Sequence, residues 1–259
     1  MTETRKLVEP YDPDLYDLIH RGNADDVNFY RDACRGANNV LELGCGVGRI
    51  ALELAQEGLF VLGLDNHPGM LRILEARRKK LQSGQHNLRL IEADMADFDL
   101  SERFDRIIIP FNGLFCLLDE QAVHRCFSRV LHHLTDEGRL IFDVYRVDPE
   151  DDMQQGQSNA FKFLTQVSHR ERLIEVFERY RVYPAQQRVD AEYLYKIAAG
   201  DDDIEEVVCR IPQRYLFLRD IERHLTEAGL RTRDIKGGYN GEPPDEDSQI
   251  IVIEAKKIA

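Results

Sequence analysis

Apolar positions in the first 145 residues fall into two alternating textures. Short runs are apolar almost throughout: "NVLELG" (39–44), "LFVLGLD" (59–65), "LRLIEAD" (88–94), "FDRIIIP" (104–110) and "EGRLIFDV" (137–144). That is the pattern of strands buried on both faces. Between them the apolar residues follow helical spacing. "RIALELAQEG" places Ile50, Leu54 and Ala55 on one face and stops at Gly58, and "PGMLRILEARRKKLQSG" opens with Pro68 in its first turn. The stretch 119–134 aligns Val123, Phe127, Val130, Leu131 and Leu134. Strands alternating with helices predict a mostly parallel sheet covered on both faces, with ligands beyond the C-terminal ends of the strands.

After Val144 the period changes to two. Ile174, Val176, Tyr180 and Val182 alternate, as do Tyr193, Tyr195 and Ile197, and then Val207, Cys209 and Ile211. These predict a small antiparallel insert, with turns at "YPAQQ" (183–187) and the acidic "AGDDD" (199–203). A helix carrying Leu218, Ile221, Leu225 and Ala228 ends at Gly229, and strands around "LRTRDIK" and "QIIVIEA" flank the loop "GGYNGEPPDEDS". The fold class is α/β.

Composition narrows the partners. The 259 residues are 43% hydrophobic, enough for a sizeable core, and 34 basic against 47 acidic side chains give a net charge of -13. That charge argues against a sequence-independent grip on nucleic acid or an anionic membrane, and favours a small-molecule partner. The start "MTETRKLVEP" has no apolar leader segment and no run of about 18 apolar residues occurs, so a cytoplasmic protein is expected. The five cysteines form no C-x-x-C pair and are expected as free thiols. No H-E-x-x-H motif is present, and no metal is expected.

The candidate chemistry starts at "VLELGCGVG" (40–48), where Gly44, Gly46 and Gly48 follow a buried strand. Glycines there allow positive φ and close approach of a ligand, while the amides opening the next helix can donate to an anionic group. No Gly-Lys-Ser/Thr follows, so this is not a P-loop. The dinucleotide fingerprint fits poorly: Arg49 stands where its third small residue belongs, and the shifted frame Gly46, Gly48, Ala51 begins two residues beyond the strand. Asp65, about 20 residues on at the next strand end, suits the hydroxyls of a ribose. Asp94 and Met95, ending the third strand, suit the edge of an adenine.

The series "LELGCGVGR", "GLDNHPGML", "IEADMADF" and "IPFNGL" resembles the class I S-adenosylmethionine-dependent methyltransferases. The resemblance implies a Rossmann-like doubly wound sheet with an antiparallel last strand. It implies that Gly44, Gly46 and Gly48 line the methionine moiety of S-adenosyl-L-methionine, with Glu42 supporting its ammonium group. Asp65 would hold the ribose, Asn66 and Met70 would border the adenine, Asp94 and Met95 would read its edge, and the backbone at Phe111 would close the methionine end. His67 stands where relatives usually have serine. "YDLIH", the insert and the segment 214–248 are similar to small-molecule methyltransferases, including antibiotic-sugar N-methyltransferases. That similarity implies an N-terminal helical lid at 1–36, a cofactor-binding domain at 37–157 and 213–259, and an antiparallel β insert at 158–212 covering the substrate site.

The function expected is methyl transfer to a nitrogen or oxygen of a small metabolite, by a monomer or homodimer. His20 is the candidate general base, since an unperturbed imidazole titrates near neutral pH. Tyr16, Tyr145, Arg214 and Tyr239 are candidates for substrate contact, and Cys116 reads as a buried small hydrophobe. Two other readings stand beside this one: a nicotinamide-dependent oxidoreductase on a related fold, and a protein that binds S-adenosylmethionine without catalysis.

Overall fold

A computed structural model describes residues 6–8, 11–147, 160–198 and 204–258. The expected acidic turn at 199–203 and the boundary at 157/158 lie outside the described residues. The chain forms two compact units, residues 21–146 with 216–259, and residues 1–20 with 147–215. The N-terminal segment expected as one lid is therefore divided at 20/21. Its first helix, α1 (Pro13–Ile19), goes with the insert, and its second, α2 (Asp26–Ala33), with the larger unit.

The larger unit is built on seven strands: β2 (Asn39–Leu43), β3 (Phe60–Asp65), β4 (Leu88–Glu92), β5 (Phe104–Ile109), β6 (Leu134–Tyr145), β11 (Leu230–Lys236) and β12 (Ile250–Lys257). Their order is β11-β12-β6-β5-β2-β3-β4, parallel except that β12 runs antiparallel to both its neighbours. This is the doubly wound sheet with an antiparallel last strand that the sequence implies. The helices are α3 (Ala51–Gln56), α4 (Pro68–Arg78), α5 (Glu120–His133) and α6 (Leu218–Glu227). Val40, Ile50, Leu54, Ala55, Leu74 and Ile108 share one core with Tyr30. Asp119 caps α5 by accepting the Ala122 N–H at 2.7 Å, which fixes the start that the spacing predicts.

The smaller unit holds a five-stranded sheet, β1-β10-β9-β8-β7. Its central strands are β8 (Arg172–Tyr183), β9 (Arg188–Ala198) and β10 (Ile204–Arg214), flanked by β7 (Lys162–His169) and by β1 (Lys6–Val8). The sequence reading had no strand at 6–8 or 162–169. β1 is too short to show a period, and it pairs parallel with β10, a contact about 200 residues away. One face buries Ile174, Val176, Tyr193, Tyr195, Val207 and Cys209 with Leu18 of α1, as the alternation predicts, although Tyr180 is 41% exposed. The other face is not a solvated charged surface. Glu192, 3% exposed, meets Arg179, Arg181 and Arg210.

Candidate functional site

The glycine loop turns straight off the end of β2. Gly44 and Cys45 donate their N–H groups to the Leu64 carbonyl at 2.8 and 2.9 Å, folding the loop over the end of β3. The three glycines have φ of 71°, 53° and 84°, the left-handed region that a side chain disfavours. Their reasons differ. A Cβ on Gly48 would lie 2.1 Å from Leu74 Cδ1, so this glycine lets α4 pack, and a Cβ on Gly44 would approach Met95 Cε to 3.3 Å. A Cβ on Gly46 would meet nothing within 4 Å, so the loop presents bare backbone to open space there.

Carboxylates ring this loop. Asp65 Oδ2 accepts the Gly46 N–H at 2.7 Å and Oδ1 the His67 N–H at 2.8 Å, which fixes the carboxylate at the strand end. Burial pushes the Asp65 pKa up against those two hydrogen bonds. Glu42 is 3% exposed, and among the described residues its Oε2 has no hydrogen-bond partner. Burial first, then the charges of Asp65 and Asp26, raise its pKa to about 8, while Arg49 and the Ala51 N–H act the other way. An orphaned buried oxygen of this kind is the feature a cationic ligand group would complete. The group the sequence implies, an adenosyl cofactor with an ammonium at one end and a ribose at the other, fits these residues.

Around the rim, Asn66 and Asp94 are exposed, the latter accepting the Ala96 N–H at 2.8 Å, and Met70 is fully buried on α4. His67 caps α4: its Nδ1 accepts the Gly69 N–H at 3.1 Å. Phe111 adopts φ 55°, and the Arg49 guanidinium sits 5.4 Å from its ring centroid. Arg49 also pairs with buried Asp26 at 2.6 Å. Asp143 accepts from the Tyr30 hydroxyl and from the Phe111 and Asn112 N–H groups. Asp26, Tyr30, Arg49, Asn112 and Asp143 were missed by sequence reasoning. A lone acid inside the apolar run "LIFDVY" was the signal for Asp143, because a strand buried on both faces has no other use for a charge.

The remaining candidates divide between the two units. Tyr145 donates its N–H to Asn112 Oδ1, and the Tyr239 hydroxyl accepts from Asn23 Nδ2 at 3.0 Å; both belong to the larger unit. Tyr16, His20 and Arg214 belong to the smaller. Arg214 is buried and donates to Gln187 Oε1 at 3.0 Å. The His20 ring stacks on Tyr16 with centroids 3.9 Å apart, and its Nδ1 lies 3.0 Å from the Tyr16 carbonyl, which fixes the proton on Nδ1. Burial lowers its pKa to about 4, so the near-neutral titration expected of it is absent. Cys116 is exposed rather than buried, and all five cysteines are free.

Residues 40–138 match a family model described as a methyltransferase domain. Over 225 residues the chain is 29% identical to a putative methyltransferase, GWCH70_2453, of Geobacillus sp. (strain WCH70), covering 86% of each chain. The chain carries a methyltransferase domain, and its relatives and fold support a class I S-adenosylmethionine-dependent methyltransferase. Solved structures share the fold of this methyltransferase: CcbJ from Streptomyces caelestis superposes with a TM-score of 0.80 at 22% identity, covering 96% of this chain and 97% of that one. CalS10, an amino pentose methyltransferase from Micromonospora echinaspora solved with S-adenosylmethionine bound, gives 0.70 at 21%, covering 94% and 97%. The oxidoreductase and non-catalytic readings find no support among these matches. Among the described residues no helix is long and apolar enough to cross a membrane.

Proposed function

We propose that this methyltransferase acts on a nitrogen or oxygen of a small metabolite, and that its cofactor lies across the ends of β2 to β5. The orphaned Oε2 of Glu42, together with the bare backbone at Gly46, carries the reading. CalS10 is described as an amino pentose methyltransferase, which favours an amine-bearing small molecule over a macromolecule. A cytoplasmic monomer or homodimer with no nucleic-acid partner fits the free thiols and the charge of -13.

Residue roles follow from chemistry. S-adenosylmethionine supplies, when bound, a methyl group on a sulfonium that is already an electrophile. Glu42 meets the ammonium, the backbone at Gly44 and Gly46 lies along the methionine chain, and Asp65 accepts from the ribose hydroxyls while its two backbone donors hold it still. Asp94 and Met95 read the adenine, flanked by Asn66 and Met70, and the turn at Phe111 closes the methionine end. Because the electrophile needs no activation, the protein's share is orientation, exclusion of water and management of one proton. His20, in the smaller unit, is neutral at ordinary pH with its lone pair on Nε2, which suits it to accept a hydrogen bond. Within the larger unit, Tyr145 and Tyr239 are assigned to acceptor contact.

The test is calorimetric titration with S-adenosylmethionine, S-adenosylhomocysteine and NADH, repeated on Asp65→Ala, followed by methyl-transfer assays over a panel of amines, amino sugars and phenols. Binding of the two adenosyl ligands, lost in the variant, together with turnover of a panel member is expected. NADH binding with no adenosyl binding, or turnover only with a macromolecular acceptor, refutes the reading.

A further inference from the structure

The end of β6 carries a carboxylate with an unusual set of donors. Asp143 is fully buried, and its Oδ1 accepts from the Tyr30 hydroxyl at 2.5 Å and the Phe111 N–H at 2.9 Å, while Oδ2 accepts from the Asn112 N–H at 3.2 Å. The Tyr239 side chain bonds to it as well. Two residues on, the Tyr145 N–H is bonded to Asn112 Oδ1. The two amide hydrogen bonds to Asp143 and the Asn112–Tyr145 hydrogen bond all fall on a single dipeptide, while Tyr30 and Tyr239 hold the carboxylate. Phe111 and Asn112 stand consecutively in the left-handed region, at φ 55° and 58°, where neither is a glycine. Such a pair persists only when its surroundings over-determine it, and such strain gathers at functional sites.

The sheet order says which half of a ligand would feel this device. Phe111 follows β5 and Asp143 sits near the end of β6, on one side of β2, while Asp65 ends β3 and Asp94 follows β4, on the other. We propose that Asp143 is a positioning residue that holds the Phe111–Asn112 turn against the amino-acid half of the cofactor and leaves the adenosine half untouched. The proposal rests on the assignment of the pocket to S-adenosylmethionine.

Two ligands separate the halves. S-adenosylhomocysteine carries the amino-acid end, and 5′-deoxy-5′-methylthioadenosine lacks it. Asp143→Asn keeps the shape but sets an NH2 against N–H and O–H donors, so its affinity for S-adenosylhomocysteine falls about tenfold or more while that for methylthioadenosine stays within about twofold. Amide exchange at Phe111 and Asn112 quickens in parallel. Tyr239→Phe removes one donor from outside the strand, shifts the same ligand by about two- to fivefold, and carries the test if Asp143→Asn does not fold. Equal loss of both ligands, or loss of neither, overturns the proposal. A wild-type protein that binds neither ligand overturns the cofactor reading itself, and this assignment with it.

Discussion

The proposed contact between Glu42 and the cofactor ammonium predicts that binding releases a proton. The folded Glu42 pKa of about 8 stands above the ordinary glutamate value of 4.5. A raised folded pKa means the neutral carboxyl stabilises the free protein fully below 4.5, and that stability is lost as pH climbs through about 8, a change on the order of 5 kcal/mol for 3.5 units. At pH 7 about 0.9 of the molecules hold that proton, and about half do at pH 8. A ligand ammonium placed against Oε2 returns the group to the ordinary carboxylate range, so binding expels the proton. The assay is titration with S-adenosylhomocysteine at pH 7 in buffers of different ionisation enthalpy. The slope of observed enthalpy against buffer enthalpy should give about 0.9 proton released, falling to about 0.5 at pH 8. Glu42→Gln should abolish the slope. A flat slope in the wild type, or an unchanged one in the variant, refutes the contact between Glu42 and the ammonium.

Other outcomes follow from single contacts. Gly48→Ala drives a Cβ to 2.1 Å from Leu74 Cδ1 at φ 84° and should cost about 2–4 kcal/mol in denaturant unfolding, with Leu74→Ala in the same chain restoring only the steric part. His67→Ala should cost about 0.5–2 kcal/mol and His67→Ser less than half of that, read from melting curves, since both histidine and serine can accept the Gly69 N–H. For His20 the folded pKa of about 4 lies below the ordinary 6.5, so stability present above pH 6.5 drains away as pH falls towards 4. Melting temperatures at pH 7 and 5 should differ less in His20→Gln than in the wild type. In turnover, the acid limb of kcat/KM should fall near pH 4; a limb near 6.5 that vanishes in His20→Gln would restore the general-base role.

The elements of the larger unit were legible because local rules and the fold agree. Buried parallel strands write themselves as apolar runs, and the helices between them carry both a face and a cap, as Asp119 and Pro68 show. The glycine loop was legible for the same reason, since positive φ leaves few residues to choose from. What stayed hidden was non-local. The three residues of β1 become a strand only by pairing with Val207–Cys209, and β7 alternates without an apolar face, its outer residues exposed. The cluster of Arg179, Glu192 and Arg210 was not legible, because nothing in their spacing says that three strands set them against one another.

The same argument explains which part of the site could be read. Four acids are buried in the larger unit around the glycine loop and the end of β6, and a buried carboxylate must find donors. Asp26 has Arg49 and the Asn23 N–H, Asp65 has the Gly46 and His67 amides, and Asp143 has two amides and tyrosine hydroxyls. The partners of Asp26 and Asp143 span 23 and 113 residues of chain for Arg49 and Tyr30, so their roles emerge only on folding. Glu42 differs from all three. Its second oxygen has no donor among the described residues, and the bare backbone of Gly46 follows four residues on. Three of the four carboxylates are satisfied and the fourth is not, which is why the proposed contact pairs Glu42 with a cation, the ammonium of the cofactor.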